Sequence, residues 1–331
     1  MIFESYNNPT HINTNTNKNQ MQFRFDVLEG LSSTPKKLHS KYFYDKTGDA
    51  LFQQIMAMPE YYLTNCELDI FQNKTSELSK IILETDAAFD LIELGAGDGT
   101  KSAFLLKHLL NEKANFNYMP IDISANILSV LESKLKEDLP ELSITCLEGE
   151  YFRMLEKAAE LSSRRKVVLF LGSNIGNMEK EEALSFCHSL NTYLSSGDIV
   201  LMGFDLKKNP QVILDAYNDK SGITAAFNLN LLTRINRELT ADFNIEKFQH
   251  YQTYDPLSGA CRSFLISLEK QVVTIDGQLV NFEKDELIYM ELSQKYAVEE
   301  SELLANSSGF ATIDHIMDSK SWFTDVAWLV V

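Results

Sequence analysis

The chain has 331 residues, 44% of them hydrophobic and 23% charged. That is enough apolar material for a sizeable core in about two domains, which excludes a disordered, fibrous or disulfide-stapled chain. Its 47 acidic residues outnumber 30 basic ones for a net charge of −17, a surface that nucleic acid and anionic membranes repel. The four cysteines (Cys66, Cys146, Cys187, Cys261) form no C-x-x-C pair, and the histidines show no metal-ligand spacing, so neither a metal site nor a disulfide framework is expected. The opening MIFESYNNPT lacks the basic and apolar regions of a signal peptide. No run approaches the roughly 18 apolar residues of a membrane span. A cytoplasmic, monomeric protein with a small-molecule ligand, and with neither nucleic-acid nor membrane partners, is the expectation.

In chain order, the Asn-rich segment 1–20 reads as a mobile tail. Apolar positions Phe23, Phe25, Val27, Leu28 and Leu31 follow. Residues 49–58 read as a short helix ended by Pro59, and Thr64-x-x-Glu67 as a capping box opening the next helix. From about residue 88 apolar strands alternate with helical stretches. The strands are FDLIELGAG (89–97), FNYMPIDIS (116–124), LSITCLEGEYF (142–152), KVVLFLGSNIGNM (166–178) and SGDIVLMGFDL (196–206). The helices between them cover 99–111, 125–137, 153–162 and 179–194. Such alternation, with nearly continuous apolar strands, argues a parallel, doubly wound α/β sheet buried on both faces. The regularity ends after Leu206. Residues 209–250 read as helical, and strand-like stretches follow at 260–268, 270–280 and 287–296, with Asp276-Gly277 as a hairpin turn. A helix over 297–306 and short strands over 308–331 close the chain, with Trp322 and Trp328 in their core.

The glycine-rich segment Glu93-Leu94-Gly95-Ala96-Gly97-Asp98-Gly99 directly follows the first strand. Glycines there let a ligand approach the backbone, and the next helix presents its N-terminus to it. Asp122 sits just past the second strand, where a carboxylate can accept both hydroxyls of a ribose. Glu150-Tyr151 ends the third strand, where an acid and an aromatic ring could hold an adenine. All of these fall on the carboxyl edge of the sheet, the edge at which open α/β sheets bind ligands. The G-x-G-x-G spacing differs from the G-x-G-x-x-G dinucleotide fingerprint and, with its opening acidic residue, resembles the first motif of S-adenosylmethionine-dependent methyltransferases.

Five longer stretches resemble the histidine-specific N-alpha-methyltransferase family of ergothioneine biosynthesis. They are KYFYDKTGDALFQQIMAMPEYYLT, LIELGAGDGTKS, FLGSNIGN, AYNDKSGITAAFNLNLLTRINREL and YMELSQKY, in the family's order over residues 41–296. The resemblance implies a Rossmann-like methyltransferase sheet joined to a second, α+β substrate-binding domain. Residues 21–66 and 206–296 would build that domain, and 67–205 with 297–331 the methyltransferase core. It implies S-adenosylmethionine as methyl donor, S-adenosylhomocysteine as product, no metal, and histidine converted to its trimethylated betaine, hercynine. Carried over by motif, Tyr44 would lie near the reacting amine as the catalytic residue. Asn177 and Tyr217 would hold the carboxylate and amino ends of the substrate, and Tyr61, Glu291 and Ser293 would surround the imidazole. Glu93, Gly95, Gly97, Lys101, Asp122, Glu150 and Tyr151 would form the cofactor site.

Glu291 and Ser293 lie two apart on a strand and so face one side. A carboxylate and a hydroxyl can satisfy the one donor and one acceptor of a neutral imidazole. Two positions depart from the family. Glu150 stands where an aspartate is usual, and Ser263 aligns where many members carry a methionine against the imidazole. A small polar residue there would enlarge or rewet the pocket and admit another aromatic amino acid or an indole precursor as substrate. A non-catalytic binding protein that kept the cofactor fold is the third reading; the intact Gly95, Gly97, Asp122, Asn177 and Glu291 speak against it.

Overall fold

The computed structural model describes residues 14–85 and 87–331. The tail expected over 1–20 lies outside the described residues as far as residue 13, and from Thr14 the backbone is helical. The elements run α1 (Thr14–Ser32), β1 (Lys36–Lys37), α2 (Lys46–Ala57), α3 (Tyr62–Asn73), α4 (Thr75–Ile82), β2 (Phe89–Leu94), α5 (Ser102–Asn111), β3 (Phe116–Asp122), α6 (Ala125–Asp138), β4 (Leu147–Glu148), α7 (Tyr151–Leu161) and β5 (Arg165–Phe170). They continue α8 (Lys180–Thr192), β6 (Ile199–Asp205), α9 (Pro210–Tyr217), α10 (Ile223–Leu239), β7 (Phe248–Tyr254), β8 (Ala260–Ser267), β9 (Gln271–Ile275), β10 (Gln278–Phe282), β11 (Leu287–Gln294), α11 (Val298–Ser307), β12 (Phe310–Met317) and β13 (Phe323–Val330).

The described residues divide into two compact units, one of residues 56–217, 253–262 and 292–331, the other of 14–55, 218–252 and 263–291. The larger unit holds a seven-stranded sheet in the order β12-β13-β6-β5-β2-β3-β4. Strands β4, β3, β2, β5 and β6 pair in parallel, and β13 runs antiparallel to β6 and to β12. Alternate residues feed two separate cores. Phe89, Leu91, Val167, Leu169, Ile199 and Leu201 pack on one face with α3, α4, α5, α6 and α9. Ile92, Leu94, Val168, Phe170, Val200 and Met202 pack on the other with α7, α8 and α11. Period-two strands buried on both sides are the doubly wound arrangement that the apolar runs predict. Trp328 is fully buried on β13, whereas Trp322 lies in the turn before that strand and is only partly buried.

Three local expectations are corrected. The third strand is far shorter than 142–152, and α7 starts at Tyr151. Pro120 in β3 has no N–H to offer. On that side β3 pairs at Tyr118 with Ile144 and at Ile121 and Asp122 with β4, with Pro120 between the two stretches. The Thr64-x-x-Glu67 box caps nothing: α3 begins at Tyr62, and Glu67 is buried inside it. The helical reading of 209–250 stops early, because β7 begins at Phe248.

The smaller unit carries the β9–β10 hairpin, α1, α2 and α10, and most of a sheet ordered β1-β11-β8-β7. Asp276 and Gly277, with φ of +47° and +77°, form the expected two-residue turn. Ser263 lies on the buried face of β8, 4% exposed. It donates to Asn228 Oδ1 at 2.8 Å, so the contact of 3.0 Å to His250 Nε2 is a donation from the imidazole. The Ser263 hydroxyl is thus engaged by both neighbours within the smaller unit.

All four cysteines are free thiols. Burial pushes Cys66 and Cys187 up to about 12 and Cys146 to about 11.

Candidate active site

The loop that leaves β2 has left-handed backbone at Gly95 (φ +72°) and Gly97 (φ +55°). The N–H groups of Gly95 and Ala96 donate to the Ile121 carbonyl at 2.8 and 3.2 Å, tying the loop to the end of β3. A Cβ at Gly97 would meet nothing within 4 Å, so this stretch of backbone borders open space. A Cβ at Gly95 would meet the Tyr151 hydroxyl at 2.8 Å. Asp122 ends β3 and accepts the Ser124 N–H on Oδ1 at 2.9 Å, while Ser124 caps α6. Glu150 is exposed at the N-cap of α7. The Tyr151 ring meets Phe170 edge-on at 5.9 Å, and burial with the charges of Asp122 and Glu150 raises its phenol above the ordinary value. The structure thus brings Gly95, Gly97, Asp122, Glu150 and Tyr151 to one edge of the sheet, at the carboxyl ends of β2, β3 and β4.

Two other cofactor candidates are deeper. Glu93 is 4% exposed, and its carboxylate takes the Tyr118 hydroxyl. Burial pushes its pKa up to about 7 against the hydrogen bonds from Tyr118 and Ser102. The structure does not bring Glu93 to the open side of the loop; it braces β3 from beneath. Lys101 is held by Glu67, whose other oxygen takes the Gly172 N–H at 2.6 Å. Burial works against the Lys101 ammonium, but the Glu67 carboxylate outweighs it and the pKa is raised. The glycine at position 203 of β6 makes room for Glu67, since a Cβ there would meet Oε1 at 2.7 Å.

Among the proposed substrate residues, the larger unit holds Tyr61, Asn177, Tyr217 and Ser293. The rings of Tyr61 and Tyr217 are 6.0 Å apart at 74°, and the Tyr217 hydroxyl is 2.7 Å from Ser293 Oγ. Asn177 is exposed at the end of the 3₁₀ turn Asn174–Asn177, which follows left-handed backbone at Gly172 and Ser173. The smaller unit holds Tyr44 and Glu291. Tyr44 is 47% exposed and meets Phe52 and Phe227 edge-on at 5.5 and 5.8 Å. Packing around its phenol and the carboxylates of Glu291 and Asp49 push its pKa up, so it stays protonated near neutrality. On β11 the half-buried Tyr289, Glu291 and Ser293 alternate with buried Ile288, Met290, Leu292 and Gln294, so Glu291 and Ser293 do share a face.

Sequence reasoning missed Phe52 and Phe227 beside Tyr44, and Lys295, Asp205, Lys208 and Tyr62 behind Tyr217 and Ser293. Phe52, Tyr62, Phe227 and Lys295 lie within motifs already quoted, but nothing in their type or spacing marked them as functional. Among the described residues no group of three or more His, Cys, Asp or Glu side chains could hold a metal ion, and no helix is long and apolar enough to cross a membrane.

A doubly wound sheet with a glycine-rich loop after β2 and a carboxylate at the end of β3 belongs to the Rossmann-like class, whose ligands bind at that edge. Residues 23–330 match the family model described as "Histidine-specific methyltransferase, SAM-dependent", and the chain belongs to that family. It is 34% identical over 279 residues to the histidine N-alpha-methyltransferase of Mycolicibacterium smegmatis, covering 83% of this chain and 85% of that one. It is 32% identical over 286 residues to ergothioneine biosynthesis protein 1 of Neurospora crassa, covering 84% of this chain and 32% of that one. It is 28% identical over 328 residues to the L-tryptophan methyltransferase trpM of Psilocybe serbica, covering 91% and 90%. The chain is accordingly an S-adenosylmethionine-dependent N-methyltransferase.

Proposed function

We propose that the enzyme methylates the α-amine of L-histidine, up to the trimethylated betaine hercynine. The observation that carries the substrate is the shared face of Glu291 and Ser293 on β11, a carboxylate and a hydroxyl matched to the N–H and the lone-pair nitrogen of an imidazole. Family membership supports the α-amine as the acceptor. The glycine loop fits S-adenosylmethionine, because a Cβ at Gly97 would intrude where the backbone now borders open space. Asp122 is set to take ribose hydroxyls, and Gly95, Glu150 and Tyr151 stand beside it. Glu93 and Lys101 act on the loop from below. When bound, the cofactor supplies an electrophilic methyl group on a sulfonium.

The protein's own work is orientation, exclusion of water and handling of one proton per transfer. Orientation alone supplies roughly 7–11 kcal/mol of barrier lowering in well-aligned reactions. The substrate amine must give up its ammonium proton before it has a lone pair. Tyr44, kept protonated by its surroundings, serves as a hydrogen-bonding relay to water rather than as a phenolate base. Asn177 and Tyr217 hold the carboxylate and amino ends, and Tyr61 stands with Glu291 and Ser293 around the imidazole. The rings of Tyr44, Phe52 and Phe227 offer aromatic faces and edges suited to a growing quaternary cation.

The deciding experiment is turnover of methyl-labelled S-adenosylmethionine against a panel of the common amino acids, with L-tryptophan included because one relative is named for it. Histidine is expected to carry label, with mono-, di- and trimethylated products separated by mass. A panel in which histidine stays unlabelled overturns the reading, and label stopping at the monomethyl product would remove hercynine. Tyr44→Phe is expected to lower kcat about 10²-fold while histidine affinity by calorimetry stays within about threefold; an unchanged kcat would take Tyr44 out of the chemistry.

A further inference from the structure

Behind Ser293 and Tyr217 lies a buried charge cluster with no role so far. Lys295 is 0% exposed, and its Nζ is 2.8 Å from the Tyr217 hydroxyl, 2.8 Å from Ser293 Oγ and 2.6 Å from Asp205 Oδ2. Asp205 also holds the Lys208 ammonium on Oδ1, and the Tyr62 hydroxyl is 3.1 and 2.9 Å from its two oxygens. Two ammonium groups thus share one carboxylate, and burial lowers the Lys208 pKa.

An ammonium has three N–H donors and no acceptor. Those of Lys295 are directed at Asp205, Tyr217 and Ser293, so both hydroxyls accept from it. The hydroxyls are also 2.7 Å from each other. The phenol is much the stronger acid of the two and is therefore the donor in that contact. Ser293 Oγ then has both lone pairs engaged, by Lys295 and by Tyr217, and its remaining capacity is its own O–H. We propose that Lys295 is a positioning residue that makes Ser293 an obligate hydrogen-bond donor, so that the substrate must offer an unprotonated, accepting ring nitrogen at Ser293 while Glu291 takes the ring N–H. This inference rests on the histidine reading above and adds to it which nitrogen state the site selects. A protonated imidazolium, or a ring with carbon at that position, leaves the Ser293 donor unpaired.

The test is steady-state kinetics on the full chain. Lys295→Met leaves Asp205 matched one-to-one by Lys208, so the fold survives. The KM for histidine is expected to rise at least tenfold, with kcat within threefold and the KM for S-adenosylmethionine within twofold. Lys208→Met removes the same charge from the same carboxylate but touches neither Ser293 nor Tyr217, and its histidine KM is expected to stay within twofold of the wild type. Ser293→Ala is expected to raise the histidine KM at least as far as Lys295→Met, and Lys295→Met to add nothing in the Ser293→Ala background, since Lys295 acts only through the Ser293 hydroxyl. A histidine KM unchanged in Lys295→Met or in Ser293→Ala, equal rises in the two lysine variants, or additive effects in the double variant would each overturn the proposal. A wild type that does not turn over histidine would instead overturn the substrate reading itself, and is seen before any variant is made.

Discussion

Glu291→Leu is expected to lower kcat/KM for L-histidine by about 10²–10³-fold, while the affinity for S-adenosylhomocysteine changes by less than about threefold. Two losses add. A hydrogen bond to a charged partner is worth about 1.5–3 kcal/mol, and the imidazole N–H left in a half-buried site costs about 1–3 kcal/mol of desolvation. Glu291→Gln keeps an acceptor oxygen and loses only the charge, so its expected loss is about tenfold. The same reasoning sets selectivity. A site that hydrogen-bonds both ring nitrogens rejects a ring lacking them by about 10⁴-fold, so the wild type should prefer histidine over tryptophan by that order, and the leucine variant should lose most of the preference. Competition kinetics with the two amino acids measures it. A leucine variant with wild-type kcat/KM on histidine would remove Glu291 from the site.

Glu93→Gln is expected to gain stability relative to the wild type as pH rises from 4.5 to 7.5, by up to about 3 kcal/mol. The folded Glu93 carboxyl titrates near 7, against an ordinary value of 4.5. Between those values the unfolded chain has released its proton and the folded chain has not, so rising pH favours unfolding. Glutamine has no such proton, yet keeps an acceptor for the Tyr118 hydroxyl. His250 works the other way. Burial lowers it to about 4 from 6.5, outweighing the opposing influence of Asp219 and Gln252. Its contribution is complete above pH 6.5 and is lost as pH falls towards 4. In the wild type the two slopes oppose each other between about 4.5 and 6.5, and each variant unmasks the other. Urea unfolding of the wild type, Glu93→Gln and His250→Gln at four pH values reads this out. Parallel stability profiles for the wild type and Glu93→Gln would refute the linkage.

The sheet was legible because burial on both faces favours apolar residues: every position of β2 and β6 is buried, and both read as mostly apolar runs despite Asp90, Glu93 and Asp205. The third strand was overread because Leu142, Ile144 and Cys146 alternate as a strand would, while pairing beside Pro120 in β3 is interrupted. Glu67 misled for a different reason. A Thr-x-x-Glu pattern is a local signal, and here a tertiary demand, the Lys101 ammonium, claimed the carboxylate. In the site, glycines and the strand-end carboxylate could be read from position alone, whereas the tyrosines and Asn177 required the family resemblance, since a half-buried tyrosine carries no mark of its task. Lys295 was invisible to both approaches. A lysine at a strand end reads as a solvated charge, and only the fold encloses it with Asp205.

The four free thiols bear on the chemistry in a way that their spacing did not suggest. An alkylating donor endangers soft nucleophiles first, and the thiolate is the reactive form of cysteine. With Cys66 and Cys187 near 12 and Cys146 near 11, roughly one molecule in ten thousand or fewer carries any of these sulfurs ionised at pH 7. Cys66, Cys146 and Cys187 are thereby quiet towards self-alkylation, which leaves nitrogen the more competent acceptor beside them.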